Sequence, residues 1–223
     1  MPSFSFRCQK LLSYLTELTL YEGGTETNPD IEVLLSSGRL KLNTPRATYS
    51  HEDKYYCYLN AFNKLGIQEY NLNKVLILGY GLGSVPVILE RVFEKDARYT
   101  AVELDPDILA LAQQYEPKEI LGKVDYYAVD AFDYVQYCNE QYDLIAVDLF
   151  LDNVIPDRFR SEDFLEELKS CVAKDGLILF NWLSYTEGLR QETEKYFAST
   201  FKAVYPDARM IETGGNRMLC VRV

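Results

Sequence analysis

The sequence has one histidine, one tryptophan, five cysteines, and 23 basic residues against 34 acidic ones in a chain of 223. With His51 alone there is no histidine-rich metal site, and a Ser-His-Asp triad would have to be built around that single residue. Cys8, Cys57, Cys138, Cys171 and Cys220 include no Cys-x-x-Cys pair. Such an odd, scattered set reads as reduced thiols, and no metal centre is expected. The formal charge of −11 repels phosphate backbones and anionic membrane surfaces, which sets aside nucleic-acid and membrane partners. It would attract a cationic small substrate, or it serves solubility alone. The longest uncharged run, residues 75–89, carries three glycines and a proline and falls short of the roughly 20 residues a membrane span needs. The apolar stretch after Arg7 and Lys10 is broken by Glu17, too early for a signal segment. A soluble, cytoplasmic protein is the expectation.

Apolar residues make up 48% of the chain and charged residues 26%, with 12 glycines and 8 prolines. This is the composition of a packed globule that needs neither disulfide nor metal to fold. At about 150 residues per domain the length predicts one main domain and an appendage. Residues 11–20 and 31–42 read as strands, the second stretch folded at Ser36-Ser37-Gly38 into a hairpin. A small β-hairpin appendage is therefore expected over residues 1–50, and the main domain over 51–223. Tyr55, Leu59, Phe62 and Leu65 have helical spacing and predict a helix over 52–65.

From there strands and helices alternate. Strands are predicted at 75–78, 99–102, 124–129, 144–147 and 177–182. Helices are predicted after Ser84, from Pro106 at a first helical position, and from Ser161 to a stop at Asp175-Gly176. Such alternation predicts an α/β fold with a parallel sheet and helices on both faces. Gly214-Gly215-Asn216 joins two last strands in a hairpin, so the terminal strand should run antiparallel.

Gly79-Tyr80-Gly81-Leu82-Gly83 follows the first strand of the alternating region and precedes Ser84 and a helix. Glycines there either make a tight structural turn or let the backbone approach a ligand at the carboxyl end of the sheet. Glu103 ends the next strand, where an acid can accept both hydroxyls of an adenosine ribose. A dinucleotide-binding domain would share these two features, but its third glycine position is Ser84 here. Asp130-Ala131 follows the third strand; the carboxylate either accepts adenine amino protons or caps a helix. An apolar strand delivers Asp148 beside the place where the reactive end of a nucleotide would lie. A carboxylate there costs desolvation energy unless it is paired, which suggests a function, with capping of the next loop as the other reading. Tyr55, Tyr56 and Tyr58 could wall an alkyl amine or pack the helix.

On Gly79 to Gly83, Glu103, Asp130-Ala131 and Asp148, preceded by Gly38-Arg39-Leu40 and by Glu52-Asp53-Lys54-Tyr55-Tyr56, the chain resembles the spermidine synthase family. The likeness runs over residues 31–182. It implies a Rossmann-like class I S-adenosylmethionine-dependent methyltransferase fold. It also implies a transferase that moves an aminopropyl or methyl group from S-adenosylmethionine or its decarboxylated form. The implied cofactor contacts are Gly79, Tyr80, Gly81, Gly83, Glu103, Leu104, Asp130 and Ala131. Asp148 would be catalytic, deprotonating or orienting an attacking amine, and Tyr56, Asp148 and Asp152 would hold the acceptor, a small molecule with a polyamine among the candidates. A homodimer is also open.

The chain departs from the family at several positions. The family's G-G-G-D-G-G loop has Leu82 at its aspartate, and an alkyl chain accepts no proton from the decarboxylated cofactor's ammonium. Glu52 and Asp152 remain as carboxylates for that task. The family's D-S-S-D run reads Asp148-Leu149-Phe150-Leu151-Asp152. Ile77, two residues before the first glycine, is as in spermidine synthases, where ordinary methyltransferases commonly carry an acid. The sequence thus lies between the two activities, and a non-catalytic relative that binds an adenosyl nucleotide is a third reading.

Overall fold

The computed structural model describes residues 4–25 and 27–223. After a short helix α1 (Phe4–Leu12), strands β1 (Leu18–Gly23), β2 (Ile31–Ser36), β3 (Arg39–Asn43) and β4 (Thr48–Ser50) form an antiparallel sheet in chain order. The β2–β3 turn places Ser37 and Gly38 at φ 51° and 75°, the two left-handed positions that match the twist of a tight hairpin. The strand expected over 11–20 is corrected: helical-type hydrogen bonds continue to Thr16, and strand begins only at Leu18. The apolar residues that suggested it, Leu11, Leu12, Tyr14 and Leu15, are exposed, so their alternation reflects no buried sheet face.

The helix expected over 52–65 is broken at Tyr55 into one 3-10 turn (Glu52–Lys54) and helix α2 (Tyr56–Leu65). Glu52 causes the break. It sits at φ 40°, and its side chain is buried, accepting from the Leu40 amide at 2.8 Å and from Arg91 at 2.7 Å.

The second sheet contains β5 (Lys74–Leu78), β6 (Arg98–Glu103), β7 (Val124–Ala128), β8 (Tyr142–Val147), β9 (Val172–Leu183), β10 (Arg209–Glu212) and β11 (Asn216–Arg222). Its spatial order is β10-β11-β9-β8-β5-β6-β7. The strands from β5 to β9 pair in parallel, whereas β11 runs antiparallel to both β9 and β10. Helices α3 (Ser84–Arg91), α4 (Pro106–Gln114), α5 (Ala131–Tyr137), α6 (Glu162–Cys171) and α7 (Glu187–Tyr196) fill the crossovers. Strand alternation divides the core. Val75 and Ile77 pack with α2, α3, α4 and the inner face of the first sheet, while Leu76 and Leu78 pack with α5 and α6.

The helix stop expected at Asp175-Gly176 is also corrected, because the chain passes from Cys171 straight into β9. Asp175, at φ 64°, and Gly176 instead make a bulge. Pairing with β8 jumps from Val172 to Leu177 there, and a Cβ on Gly176 would stand 2.8 Å from the carbonyl oxygen of Ala173. Among the described residues no helix is long and apolar enough to cross a membrane.

Candidate active site

Strand order reverses on either side of β5, and a cavity of about 250 Å³ opens there at the carboxyl ends of the parallel strands. Gly79 forms its floor at φ 82°; a Cβ there would stand 2.2 Å from the carbonyl oxygen of Asp148. Only glycine lets the end of β5 lie this close to the end of β8. Glu103, at the end of β6, accepts from the Gly81 amide at 3.1 Å and the Asp105 amide at 3.2 Å. Burial pushes its pKa up. No cation pairs with it among the described residues, so its remaining lone pairs are available to a hydroxyl-bearing ligand.

Asp130 has two tasks. One oxygen caps α5 through the Phe132 amide at 2.8 Å, and the other receives Arg158 at 3.0 Å. Asp130, Ala131, Leu104 and Arg158 line the cavity, whose walls are otherwise largely apolar, with Val102, Val129 and Phe159 among them.

Asp148, one residue past β8, lies deep in the protein with one side on the cavity. Tyr55 donates to its Oδ2 at 2.9 Å and Asn181 to its Oδ1 at 2.8 Å. Burial raises its pKa to about 6 against these two hydrogen bonds, with help from the charge of Glu103. A carboxylate with its pKa there is largely ionised at neutral pH and able to take up a proton.

Tyr80 and Gly83, expected against the cofactor, do not line the cavity. The Tyr80 ring turns into the core, edge-on to Tyr126 at 5.6 Å. Gly83 starts α3 directly over the Tyr80 hydroxyl, which a Cβ would approach to 2.6 Å. Leu82 is buried in the same core. The glycine loop therefore presents Gly79 and Gly81 alone to the cavity. Glu52 is likewise occupied, by Arg91 and Leu40.

Tyr56 and Asp152 line a second cavity, of about 440 Å³, which shares Tyr49, Tyr55 and Phe150 with the first. Asp152 is held by Thr44 at 3.0 Å and Arg46 at 3.5 Å. Of the three clustered tyrosines, Tyr55 reaches Asp148, Tyr56 is exposed beside the second cavity, and Tyr58 is core, donating to the Val147 carbonyl at 3.0 Å.

Sequence reasoning gave no role to Asn181, Arg158 or Tyr49. Asn181 left a signal, a lone amide in the apolar run from Leu177 to Trp182. Tyr49 left none; it donates to Asn28 at 3.3 Å and accepts from the Asp152 amide, tying the first sheet across the cavity mouth. Beside it Thr25, Thr27 and Asn28 of the β1–β2 loop donate to Asp105. Against burial, those bonds hold the Asp105 pKa below its ordinary value.

A parallel sheet with one reversed strand, a glycine loop after its first strand and an acid closing the second define the class I methyltransferase-like fold. Within that class the chain belongs to the spermine/spermidine synthase domain family, which matches residues 58–221. The polyamine aminopropyltransferase of Vibrio vulnificus is 27% identical over 149 residues, covering 66% of this chain and 49% of that protein. The eEF1A lysine and N-terminal methyltransferase homolog of Drosophila melanogaster is 29% identical over 139 residues, covering 58% of this chain and 20% of that protein. The chain thus spans half or less of the length of these curated relatives. The crystal structure of spermidine synthase from Thermotoga maritima superposes with a TM-score of 0.68 at 16% identity, over 92% of this chain and 72% of that one.

Proposed function

We propose that this protein transfers an aminopropyl or methyl group from an adenosyl sulfonium, S-adenosylmethionine or its decarboxylated form, to an amine or other small acceptor. The single observation that carries the reading is Asp148, a carboxylate with a pKa near 6 held by two donors, on the first of two cavities that share Tyr55 and Phe150. The first cavity fits an adenosyl group. Glu103 offers free acceptor positions for ribose hydroxyls, Gly79 and Gly81 leave room for close backbone approach, and the apolar walls suit a purine. Asp130 and Arg158 line the same cavity and would read the ring's polar edge.

When bound, the sulfonium supplies an electrophilic carbon: the acceptor nitrogen forms the new N–C bond, the S–C bond breaks with its electron pair passing to sulfur, and the nitrogen's proton leaves. Asp148 takes that proton, and Tyr55 and Asn181 fix the orientation of its two oxygens. Tyr55 and Phe150, common to both cavities, would hold the reactants in line, so much of the acceleration comes from positioning. Membership in a family with relatives named for aminopropyl and for methyl transfer supports both groups as cargo.

The test is calorimetric titration with S-adenosylmethionine, decarboxylated S-adenosylmethionine and methylthioadenosine, then mass spectrometry after incubation with an amine panel. Methylthioadenosine as product identifies aminopropyl transfer, and S-adenosylhomocysteine identifies methyl transfer. Binding without either product supports the non-catalytic alternative, and absence of binding overturns the assignment.

A further inference from the structure

The second cavity has a charge opposite to that of the molecule around it. The chain carries −11 overall, yet Lys41, Arg46 and Lys54 line this cavity with Asp152 as its one carboxylate. Arg46 spends part of its charge on Asp152 at 3.5 Å. Lys41 and Lys54 make no ion pair or side-chain hydrogen bond among the described residues. His51 lines the same cavity; burial first, then the charges of Lys41 and Lys54, push its pKa down. Two unpaired ammonium groups lining one cavity repel each other, an arrangement that an anion relieves.

Two other lining residues of this cavity, Cys57 and Asn181, are buried and uncharged. Asn181 is also the residue that donates to Asp148, which lines the adjoining first cavity. The aromatic rings of Tyr49, Tyr55 and Phe150 are common to this cavity and the first. Asp148, reached past Tyr55 and Asn181, therefore suits a nitrogen that loses a proton, the shared rings suit an alkyl chain, and the lysines suit a negative group.

We infer that the acceptor is a small amine with an anionic group, carboxylate or phosphate, at its far end, held by Lys41 and Lys54, while its nitrogen reaches past the shared Tyr55 and Phe150 toward Asp148 of the adjoining cavity. This rests on the transfer reading above and narrows it, because a diamine would place its second ammonium against Lys41, Arg46 and Lys54. The chemistry of transfer is unchanged. The N–C bond forms as the S–C bond breaks, sulfur keeps the electron pair, and Asp148 takes the proton.

The experiment compares matched acceptors on protein saturated with methylthioadenosine or, in parallel, S-adenosylhomocysteine. 4-Aminobutyrate and 3-aminopropyl phosphate are titrated against putrescine by calorimetry. At least one anionic amine should bind about tenfold or more tightly than putrescine, and the tighter of the two identifies the anion. The preference should shrink as salt screens the lysines. Lys41→Gln/Lys54→Gln should abolish it and Lys41→Glu/Lys54→Glu should invert it, with nucleotide affinity retained in both. If putrescine binds as tightly as the anionic amines, if none of the three binds, or if the lysine variants keep the preference, the inference is overturned while the transfer reading stands. If neither nucleotide binds, both fall together.

Discussion

The hydroxyl of Tyr55 donates to Oδ2 of Asp148 across 2.9 Å, joining the break between the first sheet and α2 to the end of β8. The bond favours the charged carboxylate and so opposes burial, which alone would lift the pKa above its value near 6. A hydrogen bond to a charged group is worth about 1.5–3 kcal/mol, or about one to two pKa units. Tyr55→Phe should therefore move the acid limb of the kcat/KM profile from about pH 6 to about pH 7 or higher, leaving rates above pH 9 less affected. A profile with an unmoved acid limb would remove Tyr55 from the proton-transfer apparatus.

Asp148→Asn keeps the shape and discards the proposed proton acceptor. Turnover should fall by about 10²-fold or more while nucleotide affinity changes little, since general-base contributions run at about 10²–10⁴-fold. Equal turnover in parent and variant, measured with whichever sulfonium reacts, would assign the proton to another group or to solvent.

Sequence and structure agree most closely where the signal is periodic or glycine-bound. The alternation from residue 75 onward and the terminal hairpin at Gly214-Gly215-Asn216 reappear as the parallel sheet and its reversed strand. The missing pieces have physical reasons. Helix α7 has Leu189 and Tyr196 as its only large apolar residues, leaving no stripe to detect. The break at Tyr55 follows from a long-range commitment, Glu52 to Arg91, that no local pattern contains. At the site, acids at strand ends were legible because topology alone puts them in the crevice. Asn181, Tyr49 and Arg158 reach it from separate elements, and their convergence exists only in the folded chain.

Glu103→Ala tests the nucleotide end. The change removes the acceptors proposed for a ribose and also frees the Gly81 amide, now held at 3.1 Å. Hydrogen bonds to a charged group are worth about 1.5–3 kcal/mol each, so affinity for methylthioadenosine should fall at least about tenfold. Unchanged affinity by calorimetry would contradict Glu103 as the ribose acceptor.

Gly79→Ala is expected to be structural before it is functional. The new methyl would meet main chain, the Asp148 carbonyl at 2.2 Å, and the residue would also have to keep φ 82°. Neither flexible side chain nor open space relieves the clash. The cost should be about 3 kcal/mol or more, read as a lowered urea midpoint with an unchanged slope. A variant as stable as the parent would mean that the β5 and β8 ends can separate, and the cavity floor with them.

The raised pKa of Asp148 also makes a stability prediction with a definite sign. In the unfolded chain the group titrates near an ordinary aspartate value of about 3.9, and in the fold near 6. Between those values the folded protein holds a proton that the unfolded chain has released. Stability from this group is therefore greatest below about pH 4 and is lost as pH rises to about 6, by about 2 to 3 kcal/mol. Other carboxylates act in the opposite direction: against burial, Arg39 and Arg91 hold Asp53 below its ordinary pKa, and such groups lose stability in acid. The total curve mixes the two, so the informative quantity is the difference between Asp148→Asn and the parent. That difference should shift in favour of the variant by about 2 to 3 kcal/mol between pH 4 and pH 7 in urea denaturation. A pH-independent difference would mean that Asp148 ionises as freely in the fold as out of it, and that its place beside the two cavities does not tune it as a base.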